Sequence, residues 1–441
     1  MRRYSSIAVV LLINVALMTA MAQSGVPGGA KASEAEASVQ RQIAALSASP
    51  SVHELFDWCG AHIRDFADWQ IEITSIPAPP FGESRRAEWM KNRFEQLGLE
   101  QVHIDPEGNV LGIRPGTDPN AKVLLLSAHI DTVFPATTTL NVRREQDKLI
   151  GPGISDNGAG IVALLAVATA LHDSPLQTRS PLLFVANVGE EGEGDLRGIR
   201  HIFSDPHWRE SIGYSIVLDG GGADSIVAEG LGSRRFVVTV KGPGGHSWSD
   251  FGTPNPIVVL AKAVEQFSRV PLPLTPKTTA NIGVITGGTS VNAIPESASI
   301  KVDIRSSAAA EVDRVERSLR AALEHATAEY RSPSKTGDRK PLITYEMKLI
   351  GNRPAAELPS DAHILKVVKA VDSQFHIATR IQRASTDANV PLSLGYQAVT
   401  LGGGGTGGGA HTLHEWYDPA NREVGLKRIL LSVLALAGAV Q

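Results

Sequence analysis

The chain has 441 residues, 42% hydrophobic and 20% charged, which is the composition of an ordinary globular protein and excludes a disordered or fibrous one. Lys and Arg (42) nearly balance Asp and Glu (46), and a formal net charge of -4 excludes the basic field of a nucleic-acid or anionic-membrane binder. Cys59 is the only cysteine, so any metal must be held by His, Asp and Glu.

In chain order, Arg2 and Arg3 precede an apolar run from Ile7 to Met18 and then Ala20-Met-Ala22. That pattern predicts a secretory signal peptide over residues 1–22 and an exported protein, periplasmic or secreted, with no membrane association after cleavage. Retention as an anchor is the alternative, but the run is shorter than the ~20 residues of a membrane span. Residues 23–50 are rich in Ala, Ser and Gly and read as a flexible lead or a fraying helix. Lys122 to Ala128, Pro181 to Val188 and Ser215 to Leu218 are short apolar strands alternating with helical patterns such as Ile161 to Leu171. This predicts an α/β fold, a mixed or parallel sheet with helices on both faces. From Gly232 the order becomes strand, helix, strand, strand, helix, strand, which predicts an inserted ferredoxin-like α+β domain over residues 232–351. The larger domain is then discontinuous, 51–231 and 352–441.

Four polar signals fall at predicted strand ends or just beyond: His129-Ile-Asp131, Asp156-Asn157-Gly158, Glu190-Glu191 and Asp219. In open α/β sheets, ligands bind where the carboxyl ends of strands converge. In an extended His129-x-Asp131 segment both side chains share a side, so Asp131 can accept the second ring N–H of His129; alone, the pair also reads as an ordinary surface pair. Asp156, alone, reads as a helix N-cap in a Gly-rich turn. The turn lacks the GK[ST] ending and the spaced glycines of phosphate-binding loops. Adjacent carboxylates such as Glu190 and Glu191 repel, so burying both needs a compensating cation. Neighbours point apart, so one can ligate a metal while the other faces a water as general base; the alternative is a solvated loop pair. The tract Gly402 to Gly409 reads as a linker, or as a close-packing loop that delivers His411.

Together these motifs resemble the co-catalytic zinc peptidase and deacylase family that includes peptidase T, carnosinases, acetylornithine deacetylase and β-alanine synthase. The resemblance runs over residues 55–441 and includes Gly189-Glu-Glu-Gly192, His411-x-x-x-Glu415, Gly244-Gly-His246-Ser, Gly287-Gly-Thr-Ser-Val-Asn292 and Asp303-Ile-Arg305. It implies two Zn2+ per chain, with Co2+ or Mn2+ as substitutes. His129 and Asp219 would hold one ion and Glu191 and His411 the other, with Asp156 bridging. Glu190 would be the general base, with Asp131 beside it, and His246 would stabilise the oxyanion. Asn292, Arg305 and Arg383 would bind substrate. Arg383 and Asp387 match the peptidase T branch in particular, whereas the glycine-heavy loop and the signal peptide depart from it. The resemblance further implies a cis Asp156–Asn157 peptide and a homodimer formed through the inserted lid domain. The implied activity is hydrolysis of short peptides, as an aminopeptidase or di/tripeptidase. An N-acyl-amino-acid deacylase is the alternative, and a non-catalytic binding protein a remote one.

Overall fold

The computed structural model describes residues 34–328, 330 and 342–440. The predicted signal peptide lies outside them. A nine-stranded mixed sheet organises the larger domain. At its centre Leu182–Asn187, Val123–His129, Ile212–Leu218 and Gln397–Leu401 lie side by side and parallel. These strands are covered on both faces, which is why they read as nearly unbroken apolar runs rather than alternating ones. Antiparallel Val110–Arg114 and Glu100–Ile104 extend one edge, and Ser225–Gly230 with Ala356–Glu357 and Arg380–Ala384 the other.

One face is covered by the helices Gly158–His172, His363–Gln374 and Arg422–Ala437, the first apolar almost all round because it is buried almost all round. The other face carries Ile199, Ile202, Phe203 and Trp208 from two shorter helices. Arg428 and Asp372 form a fully buried two-bond ion pair (Nε–Oδ1 2.5 Å, Nη2–Oδ2 3.0 Å) that locks two of the large helices together. Removing one partner of such a pair costs about 3–5 kcal/mol, because the other charge is left buried alone. Among the described residues no helix is long and apolar enough to cross a membrane.

Of the two readings of residues 23–50, a flexible lead or a fraying helix, the helix holds from Glu34 onward. Glu34–Ser47 is a helix, and Val39, Ile43 and Leu46 recur at helical spacing and pack onto the core beside His363–Gln374 and Arg422–Ala437. The Ala/Ser composition hid a stripe of only three apolar residues. A second helix, Pro50–Ala61, follows at once and buries Val52, Leu55, Phe56 and Cys59.

The inserted domain is a four-stranded antiparallel sheet in the order Thr278–Gly287, Ser297–Ser306, Gly232–Lys241, Thr344–Arg353. Helices Pro256–Ser268 and Ala309–Ala328 cover one face and share a separate core around Val238, Leu260, Ile300, Leu319 and Leu323. The uncovered face turns back toward the larger domain. There Lys301 meets Glu193 at 3.3 Å, and Arg235 donates to the Gly192 carbonyl. Where the two domains join, the Asn389 carboxamide donates to the carbonyls of Leu231 (3.0 Å) and Pro354 (2.9 Å), so a single side chain fastens both crossing strands.

Candidate metal centre

The three neighbouring strands Leu182–Asn187, Val123–His129 and Ile212–Leu218 end together, which brings Glu190 and Glu191, His129 and Asp131, and Asp219 to one place. Asp156 arrives from the turn before helix Gly158–His172, and Asn157 stitches that turn to the sheet. The Asn157 amide donates to the carbonyls of His129 (3.3 Å) and Leu218 (3.0 Å), and its Oδ1 accepts from Gly160 N and Gly220 N. The Asp156–Asn157 peptide is cis. Only glycine fits at 160, since a Cβ there would stand 2.1 Å from Asn157 Oδ1 and 2.4 Å from the Leu218 carbonyl.

His411 comes from the other end of the chain. Glu415, fully buried, accepts hydrogen bonds from Gly153 N, Ser155 N and Asp156 N at 2.7–2.8 Å, fastening the C-terminal segment to the Asp156 turn. Four residues earlier, His411 has φ 65°, in the left-handed region that a non-glycine residue adopts at a cost of ~1–3 kcal/mol.

The resulting geometry is two groups of donors sharing one carboxylate. His129, Asp156 and Asp219 offer atoms within 4.8 Å of one another, and so do Asp156, Glu191 and His411. His129 Nε2 lies 3.2 Å from Asp156 Oδ1 and 3.7 Å from Asp219 Oδ1. His411 Nε2 lies 3.1 Å from Asp156 Oδ2 and 2.9 Å from Glu191 Oε1. Each oxygen of Asp156 therefore faces a different imidazole.

The electrostatics call for a cation. Burial pulls the His129 imidazolium down, but Asp131, Asp156 and Asp219 together outweigh it and hold the ring well above its ordinary value. Hydrogen bonds to Asp156 and Glu191 raise His411 to about 10. Burial alone would push Asp156 up, yet its bonds to both imidazoles hold it below the usual carboxylate range. Burial pushes Glu190 well up, with the Arg353 guanidinium opposing and Glu191 adding to the rise. Both ring nitrogens of His129 are buried without a geometrically sound hydrogen bond. A set of imidazole and carboxylate donors around an orphaned histidine fits divalent metal ions such as zinc.

Asp131 faces His129 Nδ1, as the sequence suggests, and has two further partners. Its contact with His129 Nδ1 is 3.5 Å, longer than a good hydrogen bond, while its two oxygens accept from Glu190 N (3.0 Å) and Glu191 N (2.8 Å). The carboxylate thus shapes the Glu190-Glu191 turn, using backbone donors that no side-chain pattern reveals. Arg86, also fully buried, supports the neighbouring turn by donating to the Ile130 carbonyl at 2.9 Å.

The other expected site residues are on or near the inserted domain. His246 is exposed in the short strand Gly245–His246, with Nδ1 accepting from Trp248 N and Ser249 N, so no described contact joins it to the cluster. Asn292 is likewise exposed, and its carbonyl accepts from Ser247 N. Arg305 and Arg383 face a common cavity: with Lys277, Thr279, Ser307 and Leu231 they line a space of about 350 Å³ between the two domains. Arg305 pairs with Asp303 at 2.6 Å and Arg383 with Glu229.

Three contributors escaped the motif reading. Arg353 donates to Glu190 Oε1 at 2.9 Å in a buried ion pair. Asn187 donates to Asp387 at 2.7 Å, and burial raises Asp387 to about 7 despite the opposing pull of His129. Lys277 joins the two arginines.

The chain belongs to peptidase family M20/M25/M40, whose sequence profile matches residues 125–434. A probable carboxypeptidase of Uncinocarpus reesii is 27% identical over 59% of this chain, a region that spans 65% of that relative's own length. In shape, the chain is similar to aminopeptidase PepT from Bacillus cereus (TM-score 0.66, 19% identity, 85% of this chain and 99% of that one). It is also similar to YXEP of Bacillus subtilis, described as a dinuclear metal-binding peptidase (TM-score 0.60, 14% identity, 86% and 99%).

Proposed function

We propose that this protein hydrolyses short peptides with two divalent metal ions, as an aminopeptidase or di/tripeptidase. The observation that carries the reading is the pair of donor groups sharing Asp156 beside the unshared carboxylate of Glu190. His129 and Asp219 would hold one ion, Glu191 and His411 the other, and Asp156 both. Bound there, the metals supply Lewis acidity, polarising the scissile carbonyl and lowering the pKa of a water. Glu190 removes a proton from the attacking water and returns it to the leaving amine. Asp131 keeps Glu190 and Glu191 pointing apart by holding both their N–H groups.

The cavity with Lys277, Arg305 and Arg383 suits the terminal carboxylate of the substrate, which guanidinium groups bind in a fork. Dipeptides and N-acyl amino acids both carry one, so the cavity supports a deacylase as the second reading. A panel of di- and tripeptides, their C-terminal amides and N-acetyl amino acids tests both. The peptides are expected to be cleaved, and the amides about tenfold or more slower, since a charge-assisted hydrogen bond contributes ~1.5–3 kcal/mol. Faster turnover of the N-acetyl amino acids would establish the deacylase instead; no turnover of any compound by metal-loaded protein would leave a binding protein.

The exposure of His246 agrees with a role outside its own chain's site. Trp248, Phe251 and Val291 are exposed beside it, as are Val284 and Ile285 on the edge strand of the lid sheet, a surface suited to a second copy of the chain. The proposal is a homodimer in which His246 serves the neighbouring site. Mixing inactive His246→Ala protein with inactive Glu190→Gln protein should then restore up to about half the activity of each mixed dimer, because one site escapes both defects. A mixture that stays inactive after verified subunit exchange would rule this out.

A further inference from the structure

Arg353 is the last residue of the lid strand Thr344–Arg353, opposite Ser233 on the strand by which the chain enters the lid. Its side chain does not stay with the lid sheet. It crosses into the larger domain, where Nη1 donates to Glu190 Oε1 (2.9 Å) and Ser385 Oγ (3.1 Å) and Nη2 donates to the Glu190 main-chain carbonyl. Guanidinium and carboxylate are each only 6% exposed. One planar fork thus grips both the side chain and the backbone of a single residue. That grip sets direction as well as charge, which an ammonium group cannot do.

The grip sits where the domains join. The next residue, Pro354, gives its carbonyl to Asn389, which also holds Leu231. The segment bearing Arg353 is therefore part of the joint between the domains. Nearby, Arg235 and Lys301 tie the lid face to Gly192 and Glu193, just past Glu191. The lid is thus linked to this acidic turn at several points, and Arg353 is the one that reaches the reacting side chain.

We propose that Arg353 is a positioning residue, acting from the domain joint to aim the Glu190 carboxylate, so that the seating of the lid sets the orientation of the general base. This rests on the reading of Glu190 as that base. A base displaced by about 1 Å costs on the order of 10² in rate.

The test compares Arg353→Gln, Arg353→Lys, Glu190→Gln and the Arg353→Gln/Glu190→Gln double variant in zinc-loaded full-length protein, with kcat, KM, metal content and thermal midpoint for each. Arg353→Gln should lower kcat about 10²-fold with KM within about threefold and two ions retained. Arg353→Lys keeps the buried charge but not the fork; it should recover about tenfold of that loss and guards against a Gln variant that fails to fold. In the Glu190→Gln background, Arg353→Gln should change the residual rate less than about twofold, since the residue it positions no longer acts as a base. An equal loss in both backgrounds would make Arg353 a structural residue and overturn the proposal. So would full activity of Arg353→Gln. If Glu190→Gln itself were fully active, the reading of the base would fail and the positioning role with it, an outcome distinct from the first two.

Discussion

Replacing Glu190 by Gln is expected to lower turnover by about 10²–10⁴-fold while leaving two metal ions bound. Glu190 lies outside both donor groups, so its loss removes a proton acceptor and no ligand. The substitution is also gentle on the fold. Gln retains an oxygen to accept from Arg353 Nη1, and the guanidinium keeps its bonds to the Glu190 main-chain carbonyl and to Ser385 Oγ. Metal analysis beside steady-state kinetics decides the matter. A loss smaller than about tenfold at full metal content would remove Glu190 from the base role.

The second large effect is expected for Asp156→Ala, which should abolish activity, metal binding and metal-dependent stability together. Asp156 is the only residue common to both donor groups, and each of its oxygens faces a different imidazole. A ligand present at 100 times its Kd stabilises the folded state by about 2.7 kcal/mol. Added zinc should therefore raise the melting temperature of the wild-type protein and leave that of the variant nearly unchanged. Two ions per chain persisting in Asp156→Ala would show that the carboxylate does not bridge.

That His129, Asp156, Glu191, Asp219 and His411 lie close together could be expected from the sequence alone. The central strands announce themselves because burial on both faces demands unbroken apolar runs, and the clustered imidazole and carboxylate side chains come where those runs end, at His129, Glu190, Glu191 and Asp219. The inserted domain was legible for a related reason: its strands alternate, as in Ser297–Ser306, since only one face is covered. What stayed hidden depends on distance along the chain or on backbone donors. Arg353 and Glu190 are 163 residues apart, and Asn187 and Asp387 200 apart, so no local spacing relates them. Asp131 was assigned to His129 because side chains can be read from letters. Its stronger partners, the N–H groups of Glu190 and Glu191, belong to every sequence alike. For Glu34–Ser47 the sequence left a flexible lead and a fraying helix both open, because its small residues resemble a linker, and only its docking partners show which face is covered.

The order of the sheet also constrains how the chain can be assembled. Strand Gln397–Leu401 lies between Ile212–Leu218 and Ser225–Gly230, although the whole inserted domain separates it from them in sequence. During synthesis the lid, whose four strands and two helices are contiguous in sequence, can complete its own hydrophobic core first. The larger sheet must wait, with two strand edges unpaired, until some 170 further residues have emerged. His411 and Glu415 emerge later still, so neither the His411 donor group nor the Glu415 clamp on the Asp156 turn can form on a nascent or C-terminally truncated chain. The two donor groups therefore cannot both be complete until residues 411–415 are in place.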